Sequence, residues 1–417
     1  MTKTLIQGGT LASSGQQQDI VIEDGVITDI GKGLSGDETI DAKGMVLFPG
    51  LIDCHVHFRE PGFEHKATMA TEAASARAGG ITCVCEMPNT DPPTVTVSAL
   101  ADKVQRASEI TDCDIRFFFG VTSEPHIATL RELWTGDSGE LQDLKKHCVG
   151  VKLFLDHSTG DQKIDEDIIE SVFELCGEFD IPLVAHCEDP DENAQAAQMI
   201  ESKDVSTHSF LRPARSEVKS IRMALRLATK HNTPFHIAHL STQEGLDLVT
   251  EARKRGARVS CEVTPHHLIY SERDYDQLGT KGKMNPPLRE MNDLNALRQG
   301  VEDGLIDCFA TDHAPHTLAE KESGEPLDAP SGVPGVETVV PLMLSLYPAK
   351  TVYRMMFTNP NKIYRLGKED LEKGSHANVV IVDPVTEWEI HAADLHTKCD
   401  WTPYEGKKVK GKVVQVV

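Results

Sequence analysis

Between Leu51 and Arg354 the chain alternates short apolar segments with longer stretches of helical periodicity. This alternation is typical of βα units built around a parallel sheet. Eight candidate strands can be counted, which predicts an α/β fold with a (β/α)8 TIM-like barrel and leaves a doubly wound open sheet as the competitor. The candidates are LIDCHVH (51–57), ITCVCEMP (81–88), DIRFFFGV (114–121), VGVKLFL (149–155), PLVAHCE (182–188), PFHIAHLS (234–241), RVSCEVTPH (258–266) and IDCFATDHA (306–314).

Both ends of the chain have a different pattern, with short β segments separated by turns and without a long helical stretch. Asp24-Gly25, between two apolar runs, is a hairpin signal near the start, and NVVIVDP, TEWEIH and KVVQVV follow near the end. Chain termini often lie close together in space. We therefore expect a small β domain formed by residues 1–50 plus 360–417, and a barrel domain formed by residues 51–359.

The charge of the chain argues against one class of function. Lys and Arg total 42 and Asp and Glu total 65, so the formal net charge is −23 at pH 7. A field of this sign repels nucleic acid and anionic membranes, and no apolar stretch approaches the ~20 residues of a membrane span. The start of the chain lacks the apolar segment of a secretory signal, and the ten cysteines contain no CxxC pair. We expect a cytoplasmic protein that binds neither nucleic acid nor membrane.

Polar residues end several of the predicted strands, and in a barrel all those ends meet at one face. His55 and His57 are two positions apart on one strand, so their side chains point to the same side. His186, His239 and Asp312 end three other strands. Four imidazoles and a carboxylate around one rim are the ligands expected for Zn²⁺ or a similar divalent ion.

Lys152 is the unusual member of this set, because burial and neighbouring metal ions both disfavour a charged ammonium. A neutral amine can react with CO₂ to give a carbamate, whose two oxygens could bridge two metals. The alternative is that Lys152 points outward or pairs with a carboxylate.

The remaining polar residues carry weaker signals. Glu188 could orient a ligand histidine or could simply begin a helix. His266 and His267 are adjacent on a predicted strand, so at most one of them is expected to face the site. Six further histidines have no supporting pattern, and we expect them to be structural or exposed: His157, His208, His236, His376, His391 and His396.

Several motifs resemble those of one enzyme family. The pattern HxHxRxPG is filled by His55, His57, Arg59, Pro61 and Gly62, and MPNT, VGVKLFLDHSTG, KMNPPLR and ATDHAPH follow in order. From Gly50 to about Thr338 the chain resembles the dihydroorotases, a family of cyclic amidohydrolases in the amidohydrolase superfamily. The β segments at the two ends also resemble the split β-sandwich of that family.

The resemblance implies two Zn²⁺ ions per subunit. By position, His55, His57 and Asp312 would bind the α metal, and His186 and His239 would bind the β metal. Lys152, as its carbamate, would bridge the two ions. Some members use an aspartate bridge instead, which leaves Asp156 as the less favoured alternative.

The resemblance also implies a substrate site. Arg59, Asn89 and His316 would bind an α-carboxylate, and Asn285 with backbone groups near Gly335 would surround a pyrimidine ring. The chemistry agrees, since arginine offers a planar fork to a carboxylate and an amide can both donate and accept hydrogen bonds.

The reaction implied is the reversible cyclisation of N-carbamoyl-L-aspartate to L-dihydroorotate plus water, a step of de novo pyrimidine biosynthesis. A hydroxide bridging two metals would attack the cyclic amide, with Asp312 as general acid and base. The alternatives are another cyclic amidohydrolase, such as a hydantoinase or allantoinase, and a non-catalytic scaffold homologue. A homo-oligomer and an association with aspartate transcarbamoylase stay open as partners.

Overall fold

The structure is a computed structural model that describes residues 2–157 and 162–417. The end of the VGVKLFLDHSTG motif, residues 158–160, therefore lies outside the described residues. The strands are β1 (Lys3–Leu11), β2 (Gln17–Glu23), β3 (Val26–Gly31), β4 (Glu38–Asp41), β5 (Val46–Pro49), β6 (Leu51–Val56), β7 (Ile81–Glu86), β8 (Asp114–Gly120), β9 (Cys148–Phe154), β10 (Leu183–His186), β11 (Phe235–Ile237), β12 (Val259–Val263), β13 (Cys308–Phe309), β14 (Val379–Glu389) and β15 (Lys408–Val416).

Helices connect the strands and cover the outside of the central sheet. The α-helices are α1 (Met69–Ala78), α2 (Val97–Ala107), α3 (Glu124–Thr135), α4 (Gly139–His147), α5 (Ile169–Glu178), α6 (Pro190–Ala197), α7 (His208–Leu211), α8 (Ala214–His231), α9 (Gln243–Lys254), α10 (Pro265–Ile269), α11 (Tyr275–Leu278), α12 (Met291–Glu302), α13 (Leu318–Glu322), α14 (Val339–Leu346), α15 (Ala349–Tyr353) and α16 (Asn359–Ile363). A π-helical turn spans Arg354–Thr358, and short 3₁₀ turns span Glu166–Ile168, Val205–Thr207, Glu272–Asp274, Gly279–Gly282, Pro326–Asp328 and Ala392–Asp394.

The central sheet contains the eight predicted strands, all parallel, in sequence order from β6 to β13. Its two edges meet through a parallel bridge between Val56 and His313, where the backbone N–H of His57 donates to the carbonyl of His313 over 2.7 Å. Every residue of β6, β7 and β9 is buried, as expected for strands enclosed on both faces. The predicted TIM-like barrel is confirmed.

Three strands are shorter than the predicted apolar runs, two because a side chain binds the backbone where the ladder stops and one because a helix begins. The sixth barrel strand ends at Ile237, and the N–H of His239 donates to a Glu262 oxygen over 3.1 Å. The eighth strand comprises only Cys308–Phe309, and the N–H of Thr311 donates to Asp53 over 3.1 Å. The seventh ends at Val263, before Pro265 begins α10. Site residues therefore lie on loops just beyond the strands.

A second sheet combines both ends of the chain, as expected. Its order is β15-β14-β5-β1-β2-β3, with β4 paired to β1. β5 joins the two parts, because it pairs parallel to β1 and antiparallel to β14. One apolar cluster within it contains Ile6, Ile20, Ile22, Ile27, Ala42, Leu47, Val379 and Ile381. The division at residues 1–50 plus 360–417 and 51–359 stays a prediction.

Several helices begin with a threonine that fixes the loop before it. Thr68, Thr96 and Thr242 cap α1, α2 and α9, and each side chain accepts a hydrogen bond from a backbone N–H of the first turn. These caps set where the loops above the barrel end. In the described part of the chain, no helix has the length and apolar character needed to cross a membrane.

Candidate active site

A pocket opens at the carboxyl ends of the barrel strands. Most of the residues around it are polar or charged, and they come from distant parts of the sequence. The pocket is lined by His55, His57, Arg59, Asn89, Phe154, His186, His239, Asn285, Asp312, Ala314, Ser331 and Gly332. Eight of the eleven predicted site residues lie in this lining.

His55, His57 and Asp312 form a compact, buried cluster of metal-binding groups. One ligand atom from each lies within 4.8 Å of the other two. Asp312 Oδ1 is 3.0 Å from His57 Nε2 and 3.2 Å from His55 Nε2. Burial opposes ionisation of Asp312, but the two histidines hold its pKa well below the usual value. The cluster therefore presents a carboxylate and two imidazole nitrogens to one point.

His186 and His239 form a second pair beside this cluster. His186 Nδ1 lies 3.0 Å from His239 Nε2, and the rings of His55 and His239 are 5.2 Å apart between centroids. The backbone at both His239 and Asp312 has positive φ values, 33° and 48°, which non-glycine residues rarely adopt. These conformations direct the two side chains from loops into the pocket.

Lys152 projects from β9 into the same region. Its side chain is 1% exposed, and Nζ has no hydrogen-bond partner within the described residues. Burial lowers the pKa of Lys152 to about 8, although the carboxylates of Glu262 and Asp312 act in the opposite direction. Nζ lies 5.0 Å from the centre of the Phe154 ring. Burying an amine without a hydrogen-bond acceptor costs free energy, which a polar partner would offset.

Asp156, the alternative bridging residue, is engaged elsewhere. Its Oδ2 accepts hydrogen bonds from Asn193 Nδ2 over 2.7 Å and from Arg212 Nη2 over 3.0 Å. The structure thus pairs the Asp156 carboxylate with a cation, whereas Lys152 is left without a partner among the described residues.

Three of the histidines have their second ring nitrogen bonded to an oxygen. His55 Nδ1 lies 2.5 Å from Glu262 Oε1, and His57 Nδ1 lies 2.6 Å from Asn89 Oδ1. His186 Nε2 lies 2.8 Å from Glu188 Oε2. Such contacts fix the tautomer of a histidine and direct its free nitrogen to a metal. Of the two interpretations of Glu188, the structure supports the one in which it orients a histidine, here His186.

Glu262 is a site residue that the sequence reasoning missed. It lies on β12 with no exposed side-chain area, and its second oxygen is 3.0 Å from His236 Nε2. His236, expected to be structural or exposed, is therefore buried and linked to the site. A carboxylate in the middle of an apolar strand was the available signal, because such a charge is stable only with partners.

The substrate-side residues group around Arg59. This buried arginine has a positive φ of 67°, and its Nε donates to the carbonyl of Pro315 over 2.9 Å. Its Nη2 lies 3.1 Å from His316 Nε2. His316 itself is not among the residues that line the pocket. Burial lowers the pKa of Arg59 to about 10, so the guanidinium stays charged at neutral pH.

Gly335 lies away from the pocket lining. Its N–H donates to His313 Nδ1 over 3.0 Å, and the residues of this segment that line the pocket are Ser331 and Gly332. The two adjacent histidines of the TPHH segment, His266 and His267, lie on a helix and not on the predicted strand, and neither lines the pocket. Both are buried on the short helix α10, because Pro265 starts a helical turn in which the strand alternation rule does not apply.

The donors in this pocket fit divalent metal ions. Imidazole nitrogen and carboxylate oxygen, which the cluster of His55, His57 and Asp312 provides, are typical ligands of Zn²⁺. The arrangement can thus hold metal ions beside a charged arginine in one concave site. This combination suits activation of water against a substrate that carries a carboxylate.

Comparison with known proteins identifies the class. The profile of the Amidohydrolase family matches residues 46–417, and the chain belongs to this family. The fold agrees with a solved structure described as L-hydantoinase (dihydropyrimidinase) from Arthrobacter aurescens. That structure has a TM-score of 0.92 and 25% identity, with 100% of this chain and 95% of the other covered.

Curated relatives define the group within the family. A dihydroorotase from Halobacterium salinarum is 40% identical over 96% of this chain and 92% of its own length. A dihydroorotase from Methanosarcina acetivorans is 39% identical over 93% and 84%, respectively, and one from Aquifex aeolicus is 32% identical over 100% and 98%. Within the Amidohydrolase family, the chain therefore belongs among the dihydroorotases.

Proposed function

We propose that this chain is a dihydroorotase that interconverts N-carbamoyl-L-aspartate and L-dihydroorotate plus water, as a step of de novo pyrimidine biosynthesis. The observation that carries the proposal is the buried, charged Arg59 in the same pocket as the His55, His57 and Asp312 cluster. A guanidinium there gives a substrate carboxylate a partner, and the cluster gives the adjacent amide a hydrolytic centre.

The proposal assigns two Zn²⁺ ions to the pocket. His55, His57 and Asp312 would hold one ion, and His186 and His239 would hold the other. When bound, such ions supply a nucleophilic hydroxide at neutral pH and polarise a carbonyl oxygen. Glu262, Asn89 and Glu188 support the assignment, because each orients one of these histidines through a hydrogen bond.

Lys152, as a carbamate, would bridge the two ions. Its amine is buried, lies on β9 beside the strand that carries His186, and has no partner among the described residues. The Asp156 carboxylate already accepts from Arg212 and Asn193, so a bridging role would require it to abandon an ion pair. Mass spectrometry of the intact protein under native conditions should find the added CO₂, and Lys152→Ala should remove it.

The chain's own residues would divide the remaining work. Arg59 and Asn89 would hold the α-carboxylate, with His316 in contact with the Arg59 guanidinium, and Asn285 would contact the pyrimidine ring. Asp312 would take the proton of the attacking water and return it to the ring nitrogen that leaves. A carboxylate suits this role because Asp312 is ionised in its surroundings and can accept a proton.

Two other functions compete with this assignment. A hydantoinase or allantoinase would use the same metal ligands, and the similar L-hydantoinase structure is compatible with that activity. A ring without a carboxylate would, however, leave the buried Arg59 unpaired by substrate. A non-catalytic scaffold would not need to retain every proposed ligand, and all six ligand residues are present.

The deciding experiment measures turnover of L-dihydroorotate by zinc-loaded protein, with hydantoin and allantoin in parallel. We expect loss of dihydroorotate absorbance that stops after chelation and returns with zinc. Asp312→Asn should lower kcat by at least about 10²-fold, in the range of lost acid–base catalysis. Turnover of hydantoin or allantoin instead, or near wild-type activity of Asp312→Asn, would contradict the proposal.

The proposal extends to location and assembly. We place the protein in the cytoplasm, as a homo-oligomer that could associate with aspartate transcarbamoylase. Analytical ultracentrifugation of the protein alone should give a mass above the 45.8 kDa of one chain. After mixing with aspartate transcarbamoylase, a species of higher mass that contains both proteins should form. If this chain sedimented as a monomer in both samples, the homo-oligomer and the association with aspartate transcarbamoylase would both be contradicted.

A further inference from the structure

The side chain of Asn285 lines the pocket, and His208 contacts it from behind. His208 lies at the start of α7 and is 5% exposed. Its Nε2 is 3.0 Å from the backbone carbonyl oxygen of Met284 and 2.9 Å from Asn285 Oδ1. One ring nitrogen thus faces two oxygens of consecutive residues.

These contacts determine which end of the Asn285 amide faces the pocket. A carbonyl oxygen can only accept, so the Met284 carbonyl requires a proton on His208 Nε2. The Asn285 atom facing that N–H must then be the oxygen, because the alternative amide orientation would place two donors together. Ser331 Oγ also donates to this oxygen over 3.2 Å. Burial lowers the pKa of His208 to about 3, so the ring stays neutral.

The amide NH₂ group of Asn285 is therefore the end available to a ligand. Among the described residues, Asn285 Nδ2 makes no hydrogen bond, whereas Oδ1 accepts two. The pocket thus presents a neutral donor at Asn285, a cation at Arg59 and the metal-binding cluster at Asp312. Each matches a different kind of acceptor on a ligand.

We propose that His208 is a positioning residue that holds Asn285 as a donor to the ureido carbonyl oxygen of the substrate. This inference rests on the proposed function and specifies how the site distinguishes its substrate. N-carbamoyl-L-aspartate carries an α-carboxylate, a side-chain carboxyl that becomes the ring amide, and a ureido carbonyl that does not react. Arg59 accounts for the first and the metal cluster for the second, which leaves the ureido oxygen for Asn285.

The kinetic test removes the N–H of His208 and follows the ureido group. In His208→Phe we expect KM for N-carbamoyl-L-aspartate to rise about tenfold, with kcat within about twofold, as for loss of one hydrogen bond. His208→Gln keeps a side-chain N–H, so its KM should stay close to the wild-type value. Asn285→Ala should match His208→Phe, and the double variant should be no worse than either single variant.

Succinate serves as the control ligand, because it carries two carboxylates and no ureido group. Its inhibition constant should stay unchanged in the His208 variants and rise in Arg59→Lys, which weakens the carboxylate contact. Independent, additive effects of His208→Phe and Asn285→Ala, or equal losses for succinate and N-carbamoyl-L-aspartate, would overturn the inference.

Neutron diffraction from wild-type crystals in D₂O tests the orientation without any turnover. We expect deuterium on His208 Nε2 and a deuterated Asn285 Nδ2 turned to the pocket. Deuterium only on Nδ1, or Nδ2 facing His208, would overturn the inference even for an active dihydroorotase. If the wild-type protein converts neither N-carbamoyl-L-aspartate nor L-dihydroorotate, the proposed function is contradicted. The assignment of the ureido oxygen to Asn285 then fails too, whatever the neutron map shows.

Discussion

At the scale of single residues, the buried carboxylate of Glu262 supports two histidines at once. Its two oxygens contact His55 Nδ1 and His236 Nε2, and a glutamine could accept from only one of them. We expect Glu262→Gln to weaken zinc binding about 10–100-fold, the usual cost of losing such a support. Competition with a chromogenic chelator measures this.

The matched control is Glu217→Gln, which changes another buried carboxylate. Glu217 accepts from Ser241 and contacts none of the proposed metal ligands. Its zinc affinity should stay within about twofold of the wild type, a difference of under ~0.5 kcal/mol. Equal zinc affinity in Glu262→Gln and the wild type would show that Glu262 does not support His55.

The sequence was sufficient to predict the cluster of His55, His57 and Asp312 and to suggest Glu188 as a support of a histidine in the site, but it did not identify the other supports. His55, His57 and Asp312 could be predicted because parallel strands bring their carboxyl ends to one face, so order along the chain implies proximity. Glu262 and His208 act through contacts that depend on how strands and loops pack in space. No spacing in the sequence encodes those contacts.

At the scale of elements, two buried lysines fasten the loops over the pocket. Lys321 Nζ, on α13, donates to the carbonyls of Lys283, Pro330 and Gly332 over 2.9–3.1 Å. Lys283 Nζ in turn donates to the carbonyls of Leu327 and Ala329. The two ammonium groups thus act as internal cross-links between the segments that carry Asn285 and Gly332.

Replacing Lys321 by methionine should loosen the loop that ends at Gly332. Three backbone carbonyls would lose their donor, which we expect to lower the unfolding free energy by about 1–3 kcal/mol. KM for dihydroorotate should rise as well, since Gly332 lines the pocket. Urea denaturation and steady-state kinetics measure the two effects. Lys350→Met, at an exposed position of α15, is the control, and equal results for both variants would rule out the cross-link.

The element scale also shows where sequence reading loses accuracy. The apolar runs correctly located the eight barrel strands, because burial on both faces requires continuous apolar residues. Their ends were predicted too late at Ile237 and Phe309, because apolar character continues into loops whose backbone binds Glu262 and Asp53 instead of a neighbouring strand.

At the scale of the whole molecule, the end of the chain returns to the top of the barrel. Trp401 Nε1 donates to the carbonyl of His316 over 2.7 Å, and Tyr270 Oη donates to the carbonyl of Pro403 over 2.8 Å. Thr397 Oγ1 donates to Glu72 over 2.7 Å. The segment between β14 and β15 therefore ties the second sheet to loops that hold Arg59 and His316.

Two tryptophans allow this connection to be tested directly. Trp401 is 2% exposed and bonds to His316, whereas Trp388 Nε1 has no hydrogen-bond partner among the residues described. Trp401→Phe would leave a buried carbonyl unpaired, so we expect the unfolding free energy to fall by about 1–3 kcal/mol and KM to rise through His316 and Arg59. Trp388→Phe removes no hydrogen bond. It should change the unfolding free energy by less than about half of the change in Trp401→Phe, and it should leave KM unchanged. Denaturant unfolding and substrate kinetics of both variants measure the difference. If the two substitutions had the same effect on KM, the end of the chain would stabilise the fold without positioning the carboxylate site.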